Sequence, residues 1–265
     1  MKKVNSKTIC FVCLLLVSVQ FFKTDAAEGK TVSRPEAELM IFAAASLAEA
    51  ISEISDSFEN VFQIKVKKNL ASSGTLARQI AQGGVPDLFI SADKKWIDYI
   101  DSLGYMQKGF IVPVARNQLV IIAPKESHVT QIKIDNSLDV MFLLGSGRLS
   151  MGDPVHVPAG KYAKAALEYF GLYEKVKTRI LPAKDVRSAL MVVEMRESPL
   201  GLVYRTDALK SKKVKILATF PENSHGTIVY LAGLCKNSDA GKGFFNFLNS
   251  NKTEAIWTRY NFKKP

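Results

Sequence analysis

The chain has 265 residues, 47% of them hydrophobic, and a formal net charge of +11. That is enough apolar material for one large domain or two modest ones held by an ordinary core. Its 3 cysteines are too few for a disulfide framework. The basic excess is lysine spread along the chain without interleaved aromatics, which argues against nucleic-acid binding and for a solvated surface that weakly attracts anions.

Taken in order, residues 1–26 read as a secretory signal peptide. Lys2, Lys3 and Lys7 make a basic start, Ile9 to Phe22 is a short apolar run, and Thr24-Asp25-Ala26-Ala27 offers a cleavage point near Ala26. The run is too short and wrongly flanked for a membrane anchor. Cys13 follows Val12 rather than a small residue, which argues against lipidation. Cleavage removes four lysines and one aspartate, so the net charge falls to +8 and Cys235 is left as the one cysteine. The chain is expected to be exported.

Leu39 to Ala43 reads as a first strand, and Leu47, Ala50, Ile51, Ile54 and Phe58 as one face of a helix. Phe62, Ile64 and Val66 alternate as a half-buried strand. Ser72-Ser73-Gly74 turns the chain into a helix that runs to Ala81 and stops at Gly83-Gly84. Leu88 to Ser91 is a buried strand, and Asp93 caps a helix carrying Trp96, Ile97 and Ile100. Strand and helix alternate as in a mostly parallel α/β sheet.

Asn117 to Pro124 reads as one long apolar strand, after which the pattern starts again. Ser137 to Leu144 is a short helix. Leu149 to Met151 is a strand, and a helix follows from Pro158 to Gly171. Thr178 to Leu181 is a strand, Asp185 and Val186 open a helix, and Leu200 to Tyr204 is a strand. Val214 to Phe220 and Thr227 to Cys235 are further strands, and two helices end the chain. The second α/β set thus interrupts the first. The expected fold is α/β and two-lobed, with residues 37–117 and 226–265 in one lobe and 118–225 in the other. Crossings near 117 and 225 would form a hinge beside a cleft.

Four strand-to-helix junctions recur, at Ser46, Ser73, Ala159-Gly160 and Asp185-Val186. Ligands of open α/β sheets collect outside the carboxyl ends of strands, where helix N-termini present unpaired N–H groups. Two junctions from each lobe would surround a small anion with backbone N–H groups and two hydroxyls. The plain alternatives are helix capping for Ser46 and Ser73 and a core role for Tyr204 with its hydroxyl satisfied. Of the basic residues, only Lys184 and Arg187 adjoin these turns, so the site reads as neutral and rich in donors. His128, His156 and His225 have no metal-ligand spacing, and neither a G-x-S-x-G turn nor a Walker phosphate loop occurs.

The segments FAAASL, SSGTLARQI, PDLFISAD, GDPVHVPAGKYA, AKDVRSAL and LGLVYRTDA, in this order and spacing, resemble the periplasmic molybdate-binding proteins of ABC import systems. The resemblance runs from about residue 38 to the C-terminus. It implies the two-lobed periplasmic binding protein fold (type II), no catalysis and no resident cofactor. The implied ligand is molybdate or tungstate, the metal entering only as its oxyanion. The implied site is Ser46, Ser73, Ala159, Val186 and Tyr204. Implied partners are the oxyanion and an inner-membrane ABC permease, with no nucleic acid, and the chain would act as a monomer. Gly74 departs from the family pattern, since some relatives carry a third serine there, so Ser72 and Ser73 compete for one role and Ser73 is favoured. Other readings are the same fold tuned to sulfate or phosphate, an exported hydrolase or transferase, and an interaction protein without a solute.

Overall fold

The computed structural model describes residues 38–265; the expected signal peptide lies outside them. Among the described residues no helix is long and apolar enough to cross a membrane. The first α/β set comprises β1 (Glu38–Ala44), the 3-10 turn Ala45–Leu47, α1 (Ala48–Phe62), β2 (Lys65–Ala71), α2 (Ser73–Ala81), β3 (Leu88–Ser91), α3 (Lys94–Ser102) and β4 (Ile111–Asn117). The second begins with β5 (Leu119–Pro124), α4 (Val140–Leu144), β6 (Leu149–Gly152), α5 (Pro158–Tyr169), α6 (Tyr173–Val176) and β7 (Ile180–Ala183). It continues with α7 (Val186–Glu194), β8 (Leu200–Tyr204), α8 (Arg205–Lys210) and β9 (Val214–Thr219). The chain then returns through β10 (Ile228–Leu234) and ends with α9 (Asp239–Leu248) and α10 (Asn251–Arg259).

These elements build two five-stranded sheets, ordered β2-β1-β3-β10-β4 and β7-β6-β8-β5-β9. In each, four strands point one way and one is reversed: β10 in the first sheet and β5 in the second. The reversed strands are the two that enter directly from the other sheet, whereas strands linked by helical crossovers come out parallel. The chain passes between sheets at Gln118 and again between β9 and β10. Helices cover the sheets with their apolar stripes. Ala50, Ile51, Ile54 and Phe58 of α1 are all buried, each large side chain contributing roughly 1.5–3 kcal/mol of hydrophobic stabilisation.

Strand boundaries differ from the expectation in three places, one being β7, which starts at Ile180 rather than Thr178 because a 3-10 turn occupies Lys177–Arg179. Phe62 ends α1 and is half exposed, because Gln63 takes a left-handed conformation (φ 55°) that closes the helix, and the strand starts at Lys65. Asn117 to Pro124 is not one strand but the end of β4 and the whole of β5, which belong to different sheets. Pro113 and Arg116 obscure the apolar pattern of β4.

Candidate anion-binding site

Each junction anticipated from the sequence stands at the end of a strand. Ser46 lies in the 3-10 turn after β1, Ser73 opens α2, Ala159 is the second residue of α5, Val186 opens α7, and Tyr204 ends β8. Local chemistry fixes these starts. Pro158 occupies the first helical position of α5, and no side chain caps that helix. Its missing N–H suits this position, and the N–H groups of Ala159 and Gly160 are left without helical partners. Asp185 caps α7, its Oδ1 accepting from Ser188 N at 2.7 Å, and the Val186 N–H stays unpaired within the helix. Gly160 is required by close packing: a Cβ there would lie 2.0 Å from the Gly152 carbonyl oxygen.

The two lobes touch one another, and several contacts cross between them beside these junctions. α7 packs against the turn that carries Ser46. Beside this contact Glu49 of the first lobe receives both Arg187 and Lys210 of the second. A cavity of 140 Å³ lies here, walled by Ser46, Glu49, Arg187, Thr206 and Lys210 among others. On the other flank, a Cβ on Gly74 would meet the His156 carbonyl oxygen at 2.2 Å, so the start of α2 abuts the loop into α5. Lys161 Nζ donates to the buried Asp93 Oδ2 at 2.7 Å, and Arg78 Nη1 lies 2.9 Å from His156 Nδ1.

Neither serine caps a helix. Ser72 caps α2, its Oγ accepting from Thr75 N at 3.2 Å. Ser73 is fully buried, and its Oγ accepts from Ala92 N at 3.0 Å, which leaves its own hydrogen available. This arrangement favours Ser73 over Ser72 as a donor. The absence of a Cβ at Gly74 also has its reason, because a third serine could not fit under the His156 carbonyl. Ser46 Oγ lies 2.8 Å from the hydroxyl of Tyr230, a fully buried residue of β10.

Tyr204 departs most from the plain alternative. It is 1% exposed, yet its hydroxyl meets no hydrogen-bond partner among the described residues. Burial pushes its ionisation well above the ordinary tyrosine value, with Tyr230 close by adding to the shift, so the group remains a donor at neutral pH. Its ring packs edge-on against Tyr230, 6.1 Å between centroids. Of the basic residues beside these turns, Arg187 is matched. Arg187 Nε pairs with Asp207 Oδ1 at 2.6 Å. Burial lifts the Asp207 carboxyl to about 7 against the opposing pull of Arg187.

The sequence did not mark Asn117, Tyr230, Asp93 or Asp207 as neighbours of the site. Among the described residues no three His, Cys, Asp or Glu side chains are grouped to hold a metal ion. Cys235 sits just past β10, partly buried, and burial raises its thiol to about 12.

Two lobes that meet beside strand ends bearing hydroxyl and amide donors are the architecture of a protein that captures a small solute. Residues 39–263 match the family described as bacterial extracellular solute-binding protein, and the chain belongs to that family. Among its relatives, the molybdate-binding protein ModA of Escherichia coli is 42% identical over 86% of this chain and 89% of the relative. The protein of the same name from Haemophilus influenzae is 38% identical over 85% of this chain and 90% of its own length. The periplasmic molybdate-binding protein of Azotobacter vinelandii shares the fold, with a TM-score of 0.73 and 23% identity over 86% of this chain and 99% of that one.

Proposed function

We propose that this chain captures molybdate or tungstate between its lobes and delivers the oxyanion to an ABC permease in the inner membrane. The observation that supports the reading is the Tyr204 hydroxyl, a buried donor with no partner among the described residues, on a ring that packs against Tyr230, which in turn meets Ser46. The donors to the ligand are Ser46 Oγ, Ser73 Oγ, Tyr204 OH and the N–H groups of Ala159 and Val186. No resident cofactor takes part, and the role is binding rather than catalysis. The protein works in the periplasm after cleavage near Ala26, as a monomer that does not bind nucleic acid. The lobe of 37–117 with 226–265 and the lobe of 118–225 swing about the two crossings to admit and release the ligand.

The donor set favours a fully ionised tetrahedral dianion, because none of these five groups is a carboxylate that would hold a ligand O–H. Molybdate and tungstate have nearly equal metal–oxygen lengths, whereas sulfate and phosphate are smaller and would leave some fixed donors out of reach. Each buried donor left unpaired costs ~1–3 kcal/mol, so two or three such losses amount to several powers of ten in affinity. A thermal-shift and calorimetry panel tests this. Molybdate and tungstate should raise the melting temperature strongly by mass action, with little effect from sulfate or phosphate. Equal stabilisation by sulfate would overturn the molybdate assignment and leave the fold untouched.

A further inference from the structure

We propose that Asn117 and Tyr230 are positioning residues that hold the Ser46 hydroxyl as a donor toward the anion. The inference rests on the assignment of Ser46 to the site. It begins at the crossing between the sheets. Gln118 N donates to Asn117 Oδ1 at 2.9 Å, which fixes the orientation of the amide, because the flipped form would set NH₂ against N–H. The Asn117 Nδ2 group therefore faces inward, donating to Thr206 Oγ1 at 2.9 Å and to the Tyr230 hydroxyl at 3.1 Å. Both of its hydrogens are then used.

The direction of the next bond follows. The Tyr230 oxygen accepts from Asn117, so the Tyr230 hydrogen goes to Ser46 Oγ, 2.8 Å away. If Ser46 donated to Tyr230 instead, the Tyr230 hydrogen would lose this partner inside a fully buried pocket, a costly arrangement. Burial also keeps the phenol protonated, so it has a hydrogen to give. With its lone pair engaged by Tyr230, Ser46 has its own hydrogen left for the ligand. A chain of four groups thus runs from a backbone N–H through an amide and a phenol to the serine. The second hydrogen of Asn117 branches from this chain to Thr206 of α8, in the other lobe. At Ser46 the site then offers a free hydrogen, which suits an oxyanion that carries no proton.

A double-mutant cycle read by molybdate calorimetry tests the chain, with melting temperatures to confirm folding. Ser46→Ala should weaken binding by roughly 10- to 150-fold. Tyr230→Phe should weaken it by about 3- to 30-fold when Ser46 is present, and by less than about 2-fold when Ser46 is already alanine. A merely structural role for Tyr230 would give the same loss in both backgrounds and would overturn the inference. So would unchanged or tighter binding by Tyr230→Phe, which would mean that Tyr230 had been drawing the Ser46 hydrogen away from the ligand. Should Tyr230→Phe fail to fold, Asn117→Leu makes the same test: it frees the Tyr230 oxygen to accept from Ser46, so binding must fall, and wild-type affinity would overturn the inference. Wild-type affinity in Ser46→Ala alone has a different meaning, since it removes Ser46 from the site and takes the assignment and this inference down together.

Discussion

Tyr204→Phe separates what a hydroxyl does for the fold from what it does for the ligand, because the two effects have opposite signs. The hydroxyl is buried without a partner among the described residues, and a buried polar group in that state costs ~1–3 kcal/mol. Phenylalanine keeps the ring and its edge-on contact with Tyr230 while removing the unpaired atom. The ligand-free variant should therefore be no less stable than the wild type, and more stable by up to ~1–3 kcal/mol. With molybdate bound, the same hydroxyl would donate to a charged oxygen, a bond worth roughly 1.5–3 kcal/mol. Its loss predicts about 10- to 150-fold weaker binding. At saturating ligand, the stabilisation gained from binding then shrinks by the same ~1.5–3 kcal/mol, which is roughly 3–12 °C of melting temperature for a domain of this size. Calorimetry and paired melting curves measure both quantities. Wild-type affinity would remove Tyr204 from the site. A ligand-free variant less stable than the wild type by more than about 1 kcal/mol would show that the hydroxyl is satisfied in the folded protein, against the reasoning above.

Three further predictions follow from individual contacts. Ser73→Ala should weaken molybdate binding about 10- to 150-fold and also lower stability, since Ala92 N loses its acceptor; Ser72→Ala should cost ~1 kcal/mol of stability through the lost cap with affinity nearly unchanged, and the reverse pattern in calorimetry and urea titration would reassign the role to Ser72. Gly74→Ala places a Cβ against the His156 carbonyl of the facing lobe, so it should oppose closure and weaken binding roughly 10-fold or more; small-angle scattering that shows full compaction with molybdate would refute this. The third concerns pH. Burial lifts Asp207 from 3.8 to about 7, so the folded protein keeps a proton that the unfolded chain releases, and this contribution is complete below pH 3.8 and lost as pH rises through about 7. Urea titrations of wild type against Asp207→Asn should show the wild type losing relative stability across that window, by ~4 kcal/mol at most, and a flat difference would mean that Asp207 is ionised throughout.

The parts of this molecule legible in the sequence are those set by local chemistry. Helical stripes such as Ala50, Ile51, Ile54 and Phe58 repeat at short spacing, and the caps at Asp93 and Asp185 announce their helices within three residues. The strand-to-helix junctions at Ser46, Ser73, Ala159-Gly160 and Asp185-Val186 inherit this clarity, whereas Tyr204 and the choice of five site residues rest on the family resemblance. What surrounds them could not be read, because it is built from distant pairings. Tyr230 is 184 residues from Ser46 and 113 from Asn117, and Lys161 meets Asp93 across 68. No periodicity encodes such contacts. The same limit explains Tyr204, whose sequence context fits a satisfied core tyrosine; only the packing shows the hydroxyl without a partner among the described residues. It explains β4 and β5 as well, since one apolar run gives no sign that Gln118 carries the chain from one sheet to the other.

The charges around the seam divide attraction from recognition. The chain is strongly basic overall, +11 before any cleavage, and a field of that kind draws every dianion alike. Close to the proposed site three cations are tied down. Arg187 lies between Glu49 and Asp207, Lys210 meets Glu49, and Lys161 meets the buried Asp93. Three of these four pairs join the lobes, so the same side chains that hold the lobes closed are cancelled by their partners when closure is complete. An unmatched cation there would bind sulfate and molybdate with similar strength, because a point charge is indifferent to oxygen spacing. Neutral hydroxyls and amides act only at hydrogen-bond range, where a few tenths of an ångström decide whether a bond forms. If the proposed donors bind the anion, charge is left to steering and latching, and discrimination falls to those hydroxyls and amides.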